Sequence, residues 1–191
     1  VVITGEGALF SAGGNLQRLN TNRQQPPEHQ AQSIEGLHNW IEAIRTFPKP
    51  VIAAVEGPAA GAGFSLALAC DMIVAARNSV FLMAYSNIAL SPDGGGTWSL
   101  SRSVPRQLAT ELLMLGERMG AERLHQLGLV NQVSEPGQAL SDALKWAERL
   151  NRQAPNALAS IKTVAAFGEL FNSAYWASRP YRGTETALEG A

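Results

Sequence analysis

The sequence predicts an α/β fold, and three observations carry that prediction. Apolar residues make up 46% of the 191 residues, which is enough to fill the core of one ordinary domain. Short β-branched runs alternate with helical patterns in the order strand, helix, strand. The run at residues 51–55 (VIAAV) is apolar at every position, as is typical of a parallel strand that is covered on both faces.

The chain opens on a predicted strand, which a turn and a polar region follow. Residues 1–4 (VVIT) are apolar or β-branched, and Gly5 and Gly7 end the strand. Residues 11–15 (SAGGN) predict a tight turn. Residues 20–32 are almost all polar and include two adjacent prolines, so we interpret them as a mobile surface loop.

The middle of the chain alternates between helical and extended patterns. A strand is predicted at 51–55, a buried helix at 61–70, a third strand at 71–76 and a short fourth strand at 79–81. A helix is predicted before these elements, because apolar residues recur three or four positions apart at Ile34, Leu37, Ile41 and Ile44. Pro48 and Pro50 end this helix.

The last part of the chain is predicted to be mainly helical. A glycine loop at 91–96 (SPDGGG) opens a helix at 97–103. Further helical patterns follow at 108–115, 121–127, 138–150 and 157–167.

The charge balance excludes some classes of partner. Fifteen Lys and Arg residues against sixteen Asp and Glu give a net charge of −1, so no basic excess is present to hold a nucleic-acid backbone. Charged residues make up only 16% of the chain, whereas about 25% is usual. We interpret that deficit as a surface that other subunits partly cover.

The cysteine and histidine content gives no sign of a metal centre. Cys70 is the one cysteine, so neither a disulfide framework nor a thiolate cluster can form within the chain. The three histidines are scattered without a metal-ligand spacing. No apolar run approaches the roughly 20 residues of a membrane span, and no signal-peptide pattern precedes the first strand. We therefore expect a cytoplasmic protein without membrane contact.

Two glycine-rich turns have the same design. Residues 11–14 and 57–63 each follow a strand, and the second begins a helix, so their backbone N–H groups are left without helical partners. Neither turn has the lysine of a P-loop, and no G-x-G-x-x-G follows a strand. Two interpretations stay open at this point: close helix packing, or a pair of N–H groups that converge on one oxygen.

Five segments in this order resemble the crotonase (enoyl-CoA hydratase/isomerase) family. They are residues 10–16 (FSAGGNL), 49–57 (KPVIAAVEG), 61–71 (GAGFSLALACD), 92–97 (PDGGGT) and 128–131 (GLVN). The resemblance implies the ClpP/crotonase fold, a spiral of ββα units with a C-terminal helical region.

The resemblance also implies how the chain is divided. Residues 1–134 correspond to the spiral core with the oxyanion hole and active site, and residues 135–191 to a helical oligomerisation region. Family chains usually begin a few strands earlier and end with a longer helical tail. We therefore expect this sequence to be truncated at both ends.

By motif position, the family's oxyanion-hole donors correspond to the backbone amides of Gly14 and Ala62. These two N–H groups would stabilise the enolate of an acyl-CoA thioester, and neither position needs a side chain. Asn15 stands where many members have aspartate. The other positions that the resemblance assigns to substrate binding are Ser11, Ala12, Gly13, Leu16, Gly61, Ser65, Tyr85 and Pro92.

The acid/base residues distinguish the reactions of the family. Hydratases that resemble this chain carry glutamates at the positions of Ser65 and Tyr85, and neither residue can replace a carboxylate at neutral pH. Asp93 stands where isomerases that shift the double bond of unsaturated acyl-CoAs have their acid/base aspartate, including the ring-opening isomerase of the phenylacetate pathway. From the residues alone, an Asp followed by small residues at a helix start favours a helix N-cap for Asp93, and the resemblance reverses that preference.

The resemblance favours an enoyl-CoA isomerase, and three alternatives stay open. The first is a hydratase of weak activity, and the second is a non-catalytic acyl-CoA-binding homologue. The third is an aryl-CoA dehalogenase, in which Asp93 would attack carbon with help from a histidine on the preceding helix, where His38 and Glu42 lie. Trp40 and Trp98 are predicted to be core or subunit-contact residues.

The resemblance implies no metal and no redox cofactor, since coenzyme A arrives as part of the substrate. The expected partner is an acyl-CoA thioester, with no nucleic acid. Family members are typically trimers or dimers of trimers, and such an assembly would also account for the low charged fraction.

Overall fold

A computed structural model describes residues 1–22 and 24–167, and these residues form two sheets surrounded by helices. The strands are β1 (Val2–Thr4), β2 (Ile52–Val55), β3 (Pro58–Ala60), β4 (Met72–Ala76), β5 (Val80–Leu82), β6 (Met119–Gly120) and β7 (Gln132–Ser134). The helices are α1 (Leu16–Asn22), α2 (Pro27–Thr46), α3 (Ala62–Ala69), α4 (Gly96–Ser103), α5 (Arg106–Leu115), α6 (Ala121–Gln126), α7 (Ala139–Leu150) and α8 (Pro155–Phe167). A short 3-10 helix follows β5 at Ser86–Ile88.

The strands pair mainly in parallel, as the sequence predicts. The larger sheet has the order β1-β2-β4-β7, and every neighbouring pair in it is parallel. The smaller sheet has the order β3-β5-β6, with β3 and β5 parallel and β5 and β6 antiparallel. The predicted α/β class is therefore confirmed.

Strand β2 lies at the centre of the core, because it is buried on both faces. Ala53 and Val55 belong to the main core, where the rings of Phe64 and Phe81 lie 5.2 Å apart. Ile52 belongs to a second cluster, in which α7 covers the opposite face of the sheet. The apolar character of every position at 51–55 is explained by this two-sided cover.

The predicted surface loop at residues 20–32 is wrong for most of its length, since only residues 24–26 lie between two helices and residue 23 lies outside the described part. Residues 20–22 complete α1, and the helix predicted from Ile34 begins seven residues earlier, at Pro27. Proline is well suited to the first position of a helix, because its missing N–H would have no helical partner there. The polar residues that follow are compatible with helix, so polarity alone did not indicate a loop.

Three short strands have no counterpart in the sequence prediction. They are β3, β6 and β7, each two or three residues long. Their existence depends on pairing with strands far along the chain, such as Val74 with Gln132 in β4 and β7. The proposed boundary after residue 134 coincides with the end of β7, and residues 168–191 of the second region lie outside the described part. That division stays a prediction.

A buried lysine links α8 to the loop before β2. Lys162 is 7% exposed, and its Nζ lies 2.8 Å from Asp71 Oδ2 and donates to the carbonyls of Ile44 (2.8 Å) and Lys49 (3.2 Å). Asp71 also accepts a hydrogen bond from the Val51 amide at 2.7 Å. The ion pair therefore holds three segments of the chain together.

Replacing this lysine is expected to destabilise the protein. Lys162→Met should lower the free energy of unfolding by about 3 kcal/mol, since it removes the countercharge of Asp71, whose side chain is only 25% exposed, and leaves two carbonyls without their donor. Urea denaturation measures the change. Lys145→Met is the matched control, because Lys145 is 70% exposed and its pairing with Asp142 contributes at most about 1 kcal/mol. An equal loss of unfolding free energy in the two variants would contradict a stabilising role for the Lys162–Asp71 ion pair.

Candidate active site

The two glycine-rich turns of the sequence lie side by side. The Ser11 amide donates to the carbonyl of Pro58 at 3.1 Å, and the Ala60 amide donates to the carbonyl of Ser11 at 2.9 Å. Ser11 also forms an isolated parallel bridge with Ala59. These bonds fix the turn at 11–14 against β3 and the start of α3.

Two glycines make this close approach possible. Gly13 has φ +83°, and a Cβ there would lie 2.6 Å from the carbonyl oxygen of Ala60 and 3.3 Å from the nitrogen of Ala62. A Cβ at Gly63 would lie 2.6 Å from the Cβ and the carbonyl oxygen of Ser11. Only glycine fits at both positions, so the backbone of one turn comes within contact distance of the other.

The amides of Gly14 and Ala62 are available to a ligand. Neither N–H donates a hydrogen bond to any residue in the ranges 1–22 and 24–167. Ala62 is the first residue of α3, where the aligned peptide dipoles favour negative charge. Both residues line the same cavity. The arrangement can therefore donate hydrogen bonds to an oxygen atom that carries developing negative charge.

The residue beside Gly14 stabilises the start of α1. The side-chain oxygen of Asn15 accepts a hydrogen bond from the Arg18 amide at 3.0 Å, which is the geometry of a helix N-cap. Asparagine performs this capping as well as aspartate does, so the departure from the family pattern at Asn15 leaves the turn intact.

The cavity has a volume of about 550 Å³, and helix α2 forms one of its walls. Ile34, Leu37 and Trp40 line it at intervals of three residues, so they lie along one face of α2. Further apolar lining comes from α1, from α3 and from the segment after β5: Leu16, Leu19, Leu66, Ala84, Ile88 and Leu90. Such a lining suits an apolar acyl group.

Asp93 lines this cavity and is held by a hydrogen bond from Tyr85. The Tyr85 hydroxyl donates to Asp93 Oδ1 at 2.5 Å, which is a short hydrogen bond. The N-cap of α4 is Gly95, without a side-chain bond, so the alternative of Asp93 as N-cap is not what the structure has. Gly94 and Gly95 have φ +58° and +71°, and this left-handed pair turns the chain from Asp93 into α4.

Ser65 lies behind the Asp93 loop and is fully buried. Its hydroxyl donates to the backbone carbonyl of Asp93 at 3.1 Å and lies 3.5 Å from the Tyr85 oxygen. Burial, and then the hydrogen bond to Asp93, raise the pKa of Tyr85 well above its usual range. The phenol therefore stays protonated throughout the neutral pH range.

The structure brings together most of the residues that the sequence singles out. Gly14, Ala62 and Asp93 line one cavity, and so do these predicted binding residues: Ser11, Ala12, Gly13, Leu16, Gly61 and Tyr85. Ser65 and Pro92 are not among the lining residues.

Four residues on helix α2 or packed against it are exposed, namely His38, Glu42, Trp40 and Trp98. His38 is exposed and does not line the cavity, and the same holds for Glu42. Trp40 is not a core residue, because it is 52% exposed and lies at the cavity wall. Trp98 is also exposed, with the guanidinium groups of Arg45 and Arg102 at 3.8 and 4.6 Å from its ring centroid.

Sequence reasoning missed the apolar wall on α2. The signal was present, because Ile34, Leu37 and Trp40 are three residues apart and continue the helical pattern.

Within the described ranges, no cluster of three or more His, Cys, Asp or Glu side chains could hold a metal ion. In the same ranges, no helix has both the length and the apolar character needed to cross a membrane.

The chain is similar over most of its length to proteins of one family. The family model described as enoyl-CoA hydratase/isomerase matches residues 1–168. The 1,2-epoxyphenylacetyl-CoA isomerase of Escherichia coli (strain K12) is 39% identical over 163 residues, which cover 85% of this chain and 62% of the isomerase. The carnitinyl-CoA dehydratase of the same strain is 37% identical over 164 residues, which cover 85% of this chain and 61% of the dehydratase.

A solved structure resembles the chain more strongly. The enoyl-CoA hydratase from Polaromonas sp. JS666 is 68% identical and superposes with a TM-score of 0.90, covering 92% of this chain and 69% of that one. The chain thus spans somewhat more than three fifths of the length of the two curated relatives. Because the family model matches all of the described residues and the fold agrees, the chain belongs to the enoyl-CoA hydratase/isomerase, or crotonase, family.

Proposed function

We propose that this protein is an acyl-CoA isomerase that shifts the carbon–carbon double bond of an unsaturated acyl-CoA thioester. The observation that carries the proposal is Asp93, which is the single carboxylate among the described residues that line a cavity whose wall includes two unpaired amides, Gly14 and Ala62. One carboxylate is sufficient for a proton shift, whereas hydration needs a pair that activates water and delivers a proton.

The proposed reaction has two proton transfers. Asp93 takes a proton from C2 of a 3-enoyl thioester, and the electron pair moves onto the thioester oxygen to give a dienolate. The amides of Gly14 and Ala62 stabilise this oxyanion. Asp93 then returns the proton to C4 while the double bond forms between C2 and C3. Substrate and product have the same atoms, so the reaction consumes no water and no redox or metal cofactor, and coenzyme A is part of the substrate.

Two other enzymatic functions, hydratase and dehalogenase, have less support. A hydratase would need a second carboxylate, but Ser65 and Tyr85 stand at the positions where hydratases carry glutamate. A dehalogenase would need an imidazole beside Asp93, and His38 does not line the cavity. A non-catalytic acyl-CoA-binding protein differs from an isomerase only in turnover, so the assay below separates the two.

A substrate comparison tests the proposal. The purified protein is given a 3-enoyl-CoA and a 2-enoyl-CoA in separate reactions, and ultraviolet absorbance follows the conjugated thioester. We expect the 3-enoyl substrate to gain conjugation and the 2-enoyl substrate to resist hydration. Hydration that is faster than isomerisation would contradict the proposal, as would tight substrate binding with no turnover.

The assembly proposed for the chain is a homotrimer or a dimer of trimers. Several large apolar side chains are exposed on the single chain, among them Met114 (70%), Leu115 (55%) and Ile161 (62%). Burying them against other copies would remove apolar surface from water. Light scattering on the eluting protein measures the mass directly, and a monomer at micromolar concentration would contradict this assembly.

A further inference from the structure

We propose that Tyr85 is a positioning residue that clamps Asp93, with Ser65 as the second point of the clamp. The Tyr85 hydroxyl fixes one carboxylate oxygen and leaves the other to face the acyl chain, while Ser65 fixes the main chain of the same residue. The inference rests on the proposed function, because it assigns Asp93 the proton transfers described above.

The side-chain contact determines which oxygen can react. Tyr85 donates to Oδ1 of Asp93 at 2.5 Å, and no described residue donates to Oδ2. Tyr85 is only 6% exposed, so bulk water does not compete for this bond. Oδ2 is therefore the atom left to take and return the proton, at a position that the phenol holds fixed.

The main-chain contact depends on the small size of Ser65. A Cβ at Gly96 would lie 2.6 Å from Ser65 Oγ, and a Cβ at Gly94 would lie 3.1 Å from Ser65 Cβ. The glycine loop thus rests directly on the serine, whose hydroxyl donates to the Asp93 carbonyl. A glutamate at position 65 would displace the loop that carries Asp93.

Both residues of the clamp stand where related hydratases have their catalytic glutamates. A neutral phenol and a buried hydroxyl cannot remove a proton from water at neutral pH. In this chain the same two positions instead orient a single carboxylate. The clamp is therefore a specificity determinant, which favours the return of a proton to carbon over the addition of water.

Kinetics of Tyr85→Phe provide the first test, with Ser103→Ala as the control. Among the described residues, the Ser103 hydroxyl bonds only within its own helix, where it donates to the Ser99 carbonyl. We expect Tyr85→Phe to lower kcat for isomerisation by about 10–100-fold, because a hydrogen bond to a charged group is lost. KM should change little, since the aromatic ring that lines the cavity remains. An unchanged kcat, or a loss confined to KM, would overturn the proposal.

A spectroscopic measurement tests the clamp without turnover. The chain has three tyrosines, so carbon-13 labelling at Cζ gives few resonances, and the one missing in Tyr85→Phe identifies Tyr85. We expect Asp93→Asn to move this resonance and Ser103→Ala to leave it in place. A Tyr85 resonance unaffected by Asp93→Asn would overturn the clamp. If the wild-type protein lacks isomerase activity, the proposed function fails, while this measurement still decides whether Tyr85 bonds to Asp93.

Discussion

Asp93→Asn is expected to lower kcat for double-bond migration by about 10²–10⁴-fold, the usual contribution of a positioned acid/base group. The amide cannot take a proton from C2 of the substrate. It keeps the size of the carboxylate and can still accept the hydrogen bond from Tyr85, which donates to Oδ1 in the wild-type protein. Substrate affinity should therefore be nearly preserved. Steady-state kinetics with a 3-enoyl-CoA measure both quantities.

The control for this experiment is Glu42→Gln. Glu42 is an exposed carboxylate on α2 that does not line the cavity, so the same chemical change there should leave kcat unaltered. Asp93→Asn with an isomerisation rate close to that of the wild type would show that another group moves the proton.

Gly13→Ala is expected to reduce activity by about 10²–10³-fold, comparable to the loss of one oxyanion donor. The added Cβ would lie 2.6 Å from the carbonyl oxygen of Ala60, so the turn at 11–14 must move away from α3. That movement displaces the Gly14 amide relative to the Ala62 amide. Activity is measured as kcat/KM, and the free energy of unfolding by urea denaturation.

Gly7→Ala separates this effect from backbone strain alone. Gly7 also has a positive φ, +67°, but a Cβ there would have no atom within 4 Å. We expect Gly7→Ala to cost about 1 kcal/mol of stability, as for a non-glycine residue forced into the left-handed region, with unchanged kinetics. Equal kinetic losses in both variants would mean that the spacing of the two turns is irrelevant to catalysis.

The sequence predicts the parts of the fold whose environment is visible in the local pattern. Residues 51–55 are apolar throughout, and β2 is indeed buried on both faces. The polar residues before Ile34 were misleading, because a helix exposed on one side can be polar and still be stable. Strands such as β3 are three residues long, and their pairing with β5 is a long-range property that no local pattern contains.

The candidate site is predictable only in part for the same reason. The motifs identify Gly14, Ala62 and Asp93, since backbone amides and a carboxylate in fixed turns have recognisable sequences. The contact between Tyr85 and Asp93 depends on the path of the chain between them and on burial, neither of which the spacing gives. The exposure of Trp40 excludes the core alternative, which its position on α2 could not reveal because the pattern does not show which surface packs against the helix. The subunit-contact alternative for Trp40 stays a prediction.

The most direct test of the proposed oxyanion site is a crystal structure of the protein with an unreactive acyl-CoA thioester bound. We predict that the thioester oxygen lies about 2.7–3.1 Å from the nitrogens of both Gly14 and Ala62, with Asp93 Oδ2 beside the acyl carbons. A thioester oxygen that contacts neither amide, or an acyl chain that lies away from Asp93, would contradict it.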